Sequence, residues 1–473
     1  MTRHLEPHVR KIAVAVVLGT IMSVLSTTIV NVALDTLAVQ LDASLDEVQW
    51  VVTSYMLALA AVIPVSGWAA ARFGARPLYI AALALFTLGS ALCGFAWSLE
   101  SLVAARVLQG LAGGMLVPVG QIALVRAAGP GNMARVMTAI GIPVILAPVF
   151  GPTIGGLLVE HVGWQWIFFV NIPVGLAAVA AAWRLLPRDT IEPGAAGRLD
   201  ALGLGLVAAG LVGITFGLSE AGTLHSFTAP QALVPTVGGF ALVTAFVLRA
   251  LRIDYPLLDV RLYANKAFAA ASVSTFALGA ALFGAMVLLP LYFQLVRGED
   301  AVTTGLLLIP QGLGTALAMA ISGRATERIG GGLTALIGGV IMIVATIPFM
   351  LIEATTSYWL LGAAMVVRGL GIGMAMMPAM TSAFAALRPE QVHDATPQLN
   401  VLQRVGGSIG TAILVVVLQN GITGATPEAA APAFAHTYGW VVAISVVALL
   451  PTIVLALVER RRSHAPEPAE AMA

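Results

Sequence analysis

The side chains able to do chemistry in this sequence stand almost alone inside apolar runs. Arg106 sits within Ser101–Gly120, SLVAARVLQGLAGGMLVPVG, where nearly every other position is small or apolar. An unpaired arginine at the centre of a membrane helix costs ~2.5 to 3.5 kcal/mol on insertion scales, so it must reach an acid, a group of carbonyls or water. Arg368 and Arg404 raise the same question in later runs. A guanidinium with a carboxylate at such depth could hold and release a proton or bind a charged solute. Ser26, Thr27, Asn31, Gln49, Thr53, Gln109, Gln121, Gln294, Gln311, Asn400 and Gln403 are the other polar residues at depth. Asparagine and glutamine are costly in lipid and should face protein or water, which makes Asn31, Gln294 and Gln311 the foremost cavity candidates. Serine and threonine can instead satisfy a carbonyl of their own helix.

Other chemistries find no residues to carry them. The seven histidines show no pair at metal-ligand spacing, and the single cysteine, Cys93, excludes an internal disulfide. Neither lysine, Lys11 nor Lys266, follows a glycine-rich loop, so no phosphate-cradling motif exists in the chain. Inside the runs there is no nucleophile with a base and no His/Asp/Glu cluster, which counts against an enzyme and against a bound cofactor. With 24 Lys+Arg and 23 Asp+Glu the net charge is +1, and no bulk field attracts nucleic acid.

These residues need elements to position them, and composition says which. Of 473 residues 59% are hydrophobic and 10% charged, against roughly 25% charged in a soluble domain. Such a chain is dissolved in lipid. A crossing takes ~20 apolar residues, and fourteen such runs are present, among them a fifth near 136–158, a seventh and eighth near 201–219 and 232–250, and a thirteenth near 396–418. The first run is too long for a signal peptide and reads as a retained span. If the N-terminus is cytoplasmic, the inner segments hold twenty of the 24 Lys+Arg, the outer segments hold Arg297 alone, and the outer loops carry acids such as Asp35, Asp42, Asp46 and Glu47. Both termini are therefore expected in the cytoplasm. Alanine- and arginine-rich, lysine-poor usage points to a bacterial inner membrane, and the tail 463–473 is expected to be disordered.

The orientation gives Arg106 a direction. Its helix runs from outside to inside and side chains lean toward their helix N-terminus, so the guanidinium leans outward. It lies about six residues, or ~9 Å, below the outer helix end, and Asp35 lies nine residues, or ~13 Å, beyond Ser26 on that same side. An Asp35–Arg106 polar site follows, closed by the long side chain and by water, with Asp35 as proton carrier. Arg404, near the start of its run, is expected to snorkel to the surface. Arg368 lies deeper and joins the cavity candidates.

The chain also repeats itself. SGWAAARFGARP from Ser66 and SGRATERIGGG from Ser322 align Gly67 with Gly323, Arg72 with Arg328 and Gly74 with Gly330, an offset of 256 residues. Six helices take only about 200 residues, so two further helices lie between the repeats. QGLAGGM from Gln109 echoes RGLGIGM from Arg368. Parallel six-helix repeats with a substrate path between them describe a large class of secondary transporter.

GWAAARFGARP resembles the loop signature of the major facilitator superfamily, RVLQGLAGG its fourth-helix motif, and GIPVILAPVFGPTIGG (Gly141 to Gly156) the fifth-helix motif of its exporters. STTIVNVAL, WQWIFFVNIPVG, PLLDVRLY and LNVLQRVGGSIG resemble its fourteen-helix drug:proton antiporter branch. The resemblance implies an all-α integral membrane protein. Its parts would be a six-helix bundle over 1–187, two added helices over 188–262, and a second bundle over 263–462. It implies export of amphiphilic drugs in exchange for protons, by a monomer in contact with membrane lipids. Gly67, Arg72, Gly74, Arg76, Glu327 and Arg328 would form the gate. Pro143, Pro148 and Pro152 with Gly151, Gly155 and Gly156 would form a bent, closely packed hinge helix. Ser26, Asn31, Gln109, Gln294, Gln311, Arg368 and Asn400 would face the cavity.

Three positions depart from the pattern. The family loop has an acid before its arginine; here Ala71 stands there, while Glu327 keeps it in the second copy. The family's first helix carries Asp where this chain has Ser26 and ends in Pro where it has Asp35. A dedicated carrier for one metabolite or lipid-like product, without proton coupling, therefore stays open beside the drug exporter.

Overall fold

The structure is a computed structural model that describes residues 7–128, 141, 150–151, 153–188, 197–422 and 427–463. Among the described residues thirteen helices are long and apolar enough to cross a membrane. They are α1 (His8–Gln40), α2 (Glu47–Phe73), α3 (Ala75–Gly94), α4 (Leu99–Ala128), α5 (Trp166–Leu185), α6 (Ala201–Thr223) and α7 (Pro230–Ala250). After these come α8 (Lys266–Val296), α9 (Val302–Ile329), α10 (Gly331–Leu351), α11 (Tyr358–Ala385), α12 (Val392–Ile422) and α13 (Ala430–Arg461). Most of the expected fifth run, with Pro143, Pro148 and Pro152, lies outside the described residues, as does the tail beyond Ser463.

Local signals set several helix ends. Ser44 and Glu47 cap α2 reciprocally, the Ser44 Oγ accepting from the Glu47 N–H and the Glu47 carboxylate from the Ser44 N–H at 2.9 Å. At the start of α9 the Asp300 carboxylate accepts from the Thr303 N–H at 2.6 Å. The two aligned glycines, Gly74 after α2 and Gly330 after α9, hold φ of 90° and 86°, a region only glycine enters freely. Each lets the chain end one helix and begin the next without an intervening loop. The internal repeat is thus a repeat of backbone geometry.

Two bundles result. In the first, α4 packs on α1, α2 and α3, and α5 packs on α1 and α3; in the second, α11 packs on α9 and α10, and α8 packs on α12 and α13. Close approach explains the small-residue pairs: a Cβ at Gly114 would stand 2.7 Å from the Leu59 carbonyl, and one at Gly373 would stand 2.6 Å from the Thr315 carbonyl. The hairpin α6–α7 lies between the bundles. Its first helix touches both α2 and α12, with Trp50 stacked on Phe216 and with Ile214 and Leu218 against Ala412. α7 is only 17% buried against 67% for α4, so α7 faces lipid while α4 is a core helix.

Candidate functional site

A cavity of about 1180 Å³ lies between the bundles. Its walls come from α1 (Thr27, Asn31, Asp35), α2 (Gln49, Thr53, Met56), α6 (Thr215, Ser219), α8 (Phe283, Met286, Gln294), α9 (Leu308, Gln311) and α12 (Asn400, Gln403, Arg404, Ser408, Gln419). Apolar side chains dominate the lining, and amides and hydroxyls are spaced among them. Among the described residues that line it, Asp35, His225 and Arg404 are titratable. The 3-10 stretch Ile29–Ala33 interrupts α1 beside the cavity, and Asn31 on that stretch is solvent-exposed.

The cavity reaches the end of the molecule that carries Asp35, Gln49 and His225 and is closed toward the end that carries Arg72 and Arg76. Three contacts close it. The Asn400 amide donates to Gln121 Oε1 at 2.8 Å and to its own Thr396 carbonyl at 2.9 Å, joining the second bundle to the first. Below this bond Gly67 lies against the His393 carbonyl and Pro397, with no room for a side chain. Gly141 meets Met319 and Met377 of the second bundle. Near Gly67, the Trp68 indole donates to the Gly197 carbonyl at 3.0 Å and Arg76 donates to the Trp183 carbonyl. Gly151 and Gly155 pack on Thr28 and Ile29 of α1, and Gly156 is half-buried. Arg72, Glu327 and Arg328 are exposed at the loop ends.

Arg106 is fully buried behind the cavity wall. Its Nε donates to the Val51 carbonyl at 2.9 Å, one terminal nitrogen to Gln109 Oε1 at 2.6 Å and to Ser26 Oγ at 3.3 Å, and the other to the Ser26 carbonyl at 3.4 Å. Its carbon lies 4.0 Å over the Tyr55 ring. Gln109 in turn donates to Ser90 Oγ. The charge is held by carbonyls, an amide, a hydroxyl and an aromatic face, with no acid among the described residues. The expected Asp35–Arg106 pair does not form: no hydrogen bond or ion pair joins them among the described residues. The reason lies in the backbone. Five 3-10 residues rise ~2.0 Å each, so Asp35 stands ~16 Å beyond Ser26 rather than ~13 Å. Asp35 lines the cavity while Arg106, Ser26 and Gln109 lie behind its wall.

Of the other expected cavity residues, Asn31, Gln294, Gln311 and Asn400 line it. Arg368 is buried behind Gln311, donating to Gln311 Oε1 at 2.8 Å, with its Nε and second terminal nitrogen without partners among the described residues. Arg404 differs from expectation. α12 begins at Val392, so Arg404 lies twelve residues, or ~18 Å, inside its helix, too deep to snorkel, and it lines the cavity. The apolar run placed the helix start near 396; the polar turn before it, Val392–Thr396, is helical all the same. The α6 residues Thr215 and Ser219 were also missed, since nothing in their run marks an inward face.

The sequence profile of the Major Facilitator Superfamily matches residues 16–411. The chain belongs to this superfamily and is a multi-pass membrane transporter. It is 41% identical over 407 residues to "Multidrug resistance protein B homolog" of Mycobacterium tuberculosis, covering 85% of this chain and 75% of that one. It is 31% identical to "Multidrug export protein EmrB" of Haemophilus influenzae, over 86% of this chain and 80% of the relative. It is also 31% identical to "Putative multidrug resistance protein MdtD" of Cronobacter sakazakii, over 94% and 93%. In fold it is similar to the human organic anion transporter MFSD10, with a TM-score of 0.63 at 15% identity, over 95% of this chain and all of that one.

Proposed function

We propose that this chain exports amphiphilic drugs or antibiotics across the bacterial inner membrane by alternating access, in exchange for protons. One observation carries the reading. A cavity large enough for a drug-sized solute, with mostly apolar walls and scattered amides, is open along one half of the molecule and sealed along the other by contacts between the bundles. The names of the relatives agree with such a substrate. Placing the arginine-rich end in the cytoplasm, the side that the distribution of Lys and Arg favours, makes this the outward-facing state.

Asp35 is the proposed proton carrier. Among the described residues it is the one carboxylate lining the cavity, and in this state it is exposed to the side from which protons enter. The Arg106 network sets the packing of α1, α2 and α4 rather than touching the solute. The proposed hinge is the close contact of Gly151 and Gly155 with α1, and the gate is the Gly67–His393 contact. The test is uptake of a fluorescent amphiphile into inside-out vesicles with and without an imposed pH gradient. Uptake that follows the gradient supports the exporter; uptake indifferent to it leaves a carrier without proton coupling.

A further inference from the structure

Arg106, Arg368 and Arg404, far from their helix ends, have three different surroundings. Arg106 is fully buried and satisfied by Val51, Ser26, Gln109 and the Tyr55 face. Arg368 is buried behind Gln311 and does not line the cavity. Arg404 alone among them lines it, and among the described residues it makes no hydrogen bond and no ion pair. It is placed one helical turn, ~6 Å, from Asn400, toward the open end. It therefore stands just above the Asn400–Gln121 bond that floors the cavity.

A guanidinium has five N–H donors and no acceptor, so its unmet need is for anionic or carbonyl oxygen. Inside the membrane such a charge is costly unless something answers it. Among the described residues the carboxylate in the cavity lining is Asp35, which lies at the open end and is not paired with Arg404. Water can fill the gap between transport events, but the cavity is built around an unanswered positive charge at its floor and apolar walls above it. Phe283, Met286 and Met56 line it, giving an adaptable surface for a hydrocarbon or aromatic body.

We infer that Arg404 is the anchor for an anionic head group, and that the preferred solutes are amphiphiles carrying a carboxylate or a similar oxyanion. This deepens the exporter reading and rests on it. An anion at Arg404 sits next to the inter-bundle bond, so its binding bears directly on the seal that has to open.

The experiment uses the full chain in nanodiscs of zwitterionic lipid and three probes sharing one apolar body. They are 11-(dansylamino)undecanoate, its neutral methylamide, and the analogue with a terminal trimethylammonium. Fluorescence titration, with empty nanodiscs subtracted, should show the carboxylate binding at least tenfold tighter than the trimethylammonium probe. Arg404→Gln should weaken the carboxylate at least tenfold and leave the methylamide within about twofold. Arg404→Lys, which keeps the charge, should keep the preference even if Arg404→Gln proves unstable. A carboxylate preference that persists in Arg404→Gln, a wild type that favours the trimethylammonium probe, or one that does not bind the carboxylate overturns the inference. A wild type that shows the preference yet moves none of the probes across proteoliposomes overturns the exporter reading and leaves the anion site standing.

Discussion

Gly67→Val acts on the seal at its tightest point. A Cβ at Gly67 would press on the His393 carbonyl oxygen and stand 3.0 Å from Cγ of Pro397, and neither the backbone carbonyl nor the ring can rotate away. α2 and α12 must separate locally or strain. Overpacking a closed contact costs about 1 to 3 kcal/mol. When the two helices part, the valine meets open space and the cost disappears. The equilibrium between the closed and parted forms of this end should therefore shift roughly 5- to 150-fold toward parted. Thr396, one residue before Pro397, is fully buried in the closed form and serves as reporter. The native Cys93 is buried and leaves the background low. In Thr396→Cys, a membrane-impermeant maleimide supplied from the arginine-rich side should label faster by that factor once Gly67→Val is added, up to saturation. An unchanged rate, in protein whose thermal midpoint is also unchanged, would refute the assignment of Gly67 to the seal.

Asn400→Ala removes one inter-bundle hydrogen bond worth about 0.5 to 1.5 kcal/mol. It should speed the same labelling ~2- to 12-fold, and Gln121→Ala added to it should contribute little more, as a double-mutant cycle would record. Asp35→Asn should abolish transport driven by a pH gradient; full gradient-driven transport by Asp35→Asn removes it as carrier. Arg106→Gln leaves the Val51 and Ser26 oxygens without donors and should cost about 1 to 3 kcal/mol, read as a lower thermal midpoint. Arg106→Lys should not restore it, because an ammonium cannot span the three directions the fork serves. Loss of solute binding at unchanged stability in either variant would instead place Arg106 in contact with solute.

Helix positions and the repeat were legible because lipid imposes long apolar runs, and because only glycine suits the backbone at Gly74 and Gly330. The amides Asn31, Gln294, Gln311 and Asn400 reached the cavity for the reason that flagged them, the cost of an amide in lipid. Arg106 was recognisable as a buried charge in need of partners, but the partners were not. Residue counting assumes a uniform rise along α1, and the 3-10 stretch at Ile29–Ala33 breaks that assumption, carrying Asp35 away. Arg404 was misplaced because hydropathy marks where a helix becomes apolar rather than where it begins. Its helix starts with a turn that holds His393, Asp394 and Thr396, and that extra turn moves an arginine from the interface to the cavity wall. The role of α6 follows from packing between bundles, which no local pattern encodes.

Coupled movement of solute and protons is the centre of the account, and one flux measurement addresses it. Proteoliposomes holding the purified chain and trapped pyranine are given an outwardly directed gradient of the dansyl amphiphile, with no imposed pH difference. The lumen should acidify as the amphiphile leaves, in wild type and not in Asp35→Asn. Amphiphile efflux at full rate with no change in lumenal pH would contradict proton exchange and leave a carrier that moves its solute alone.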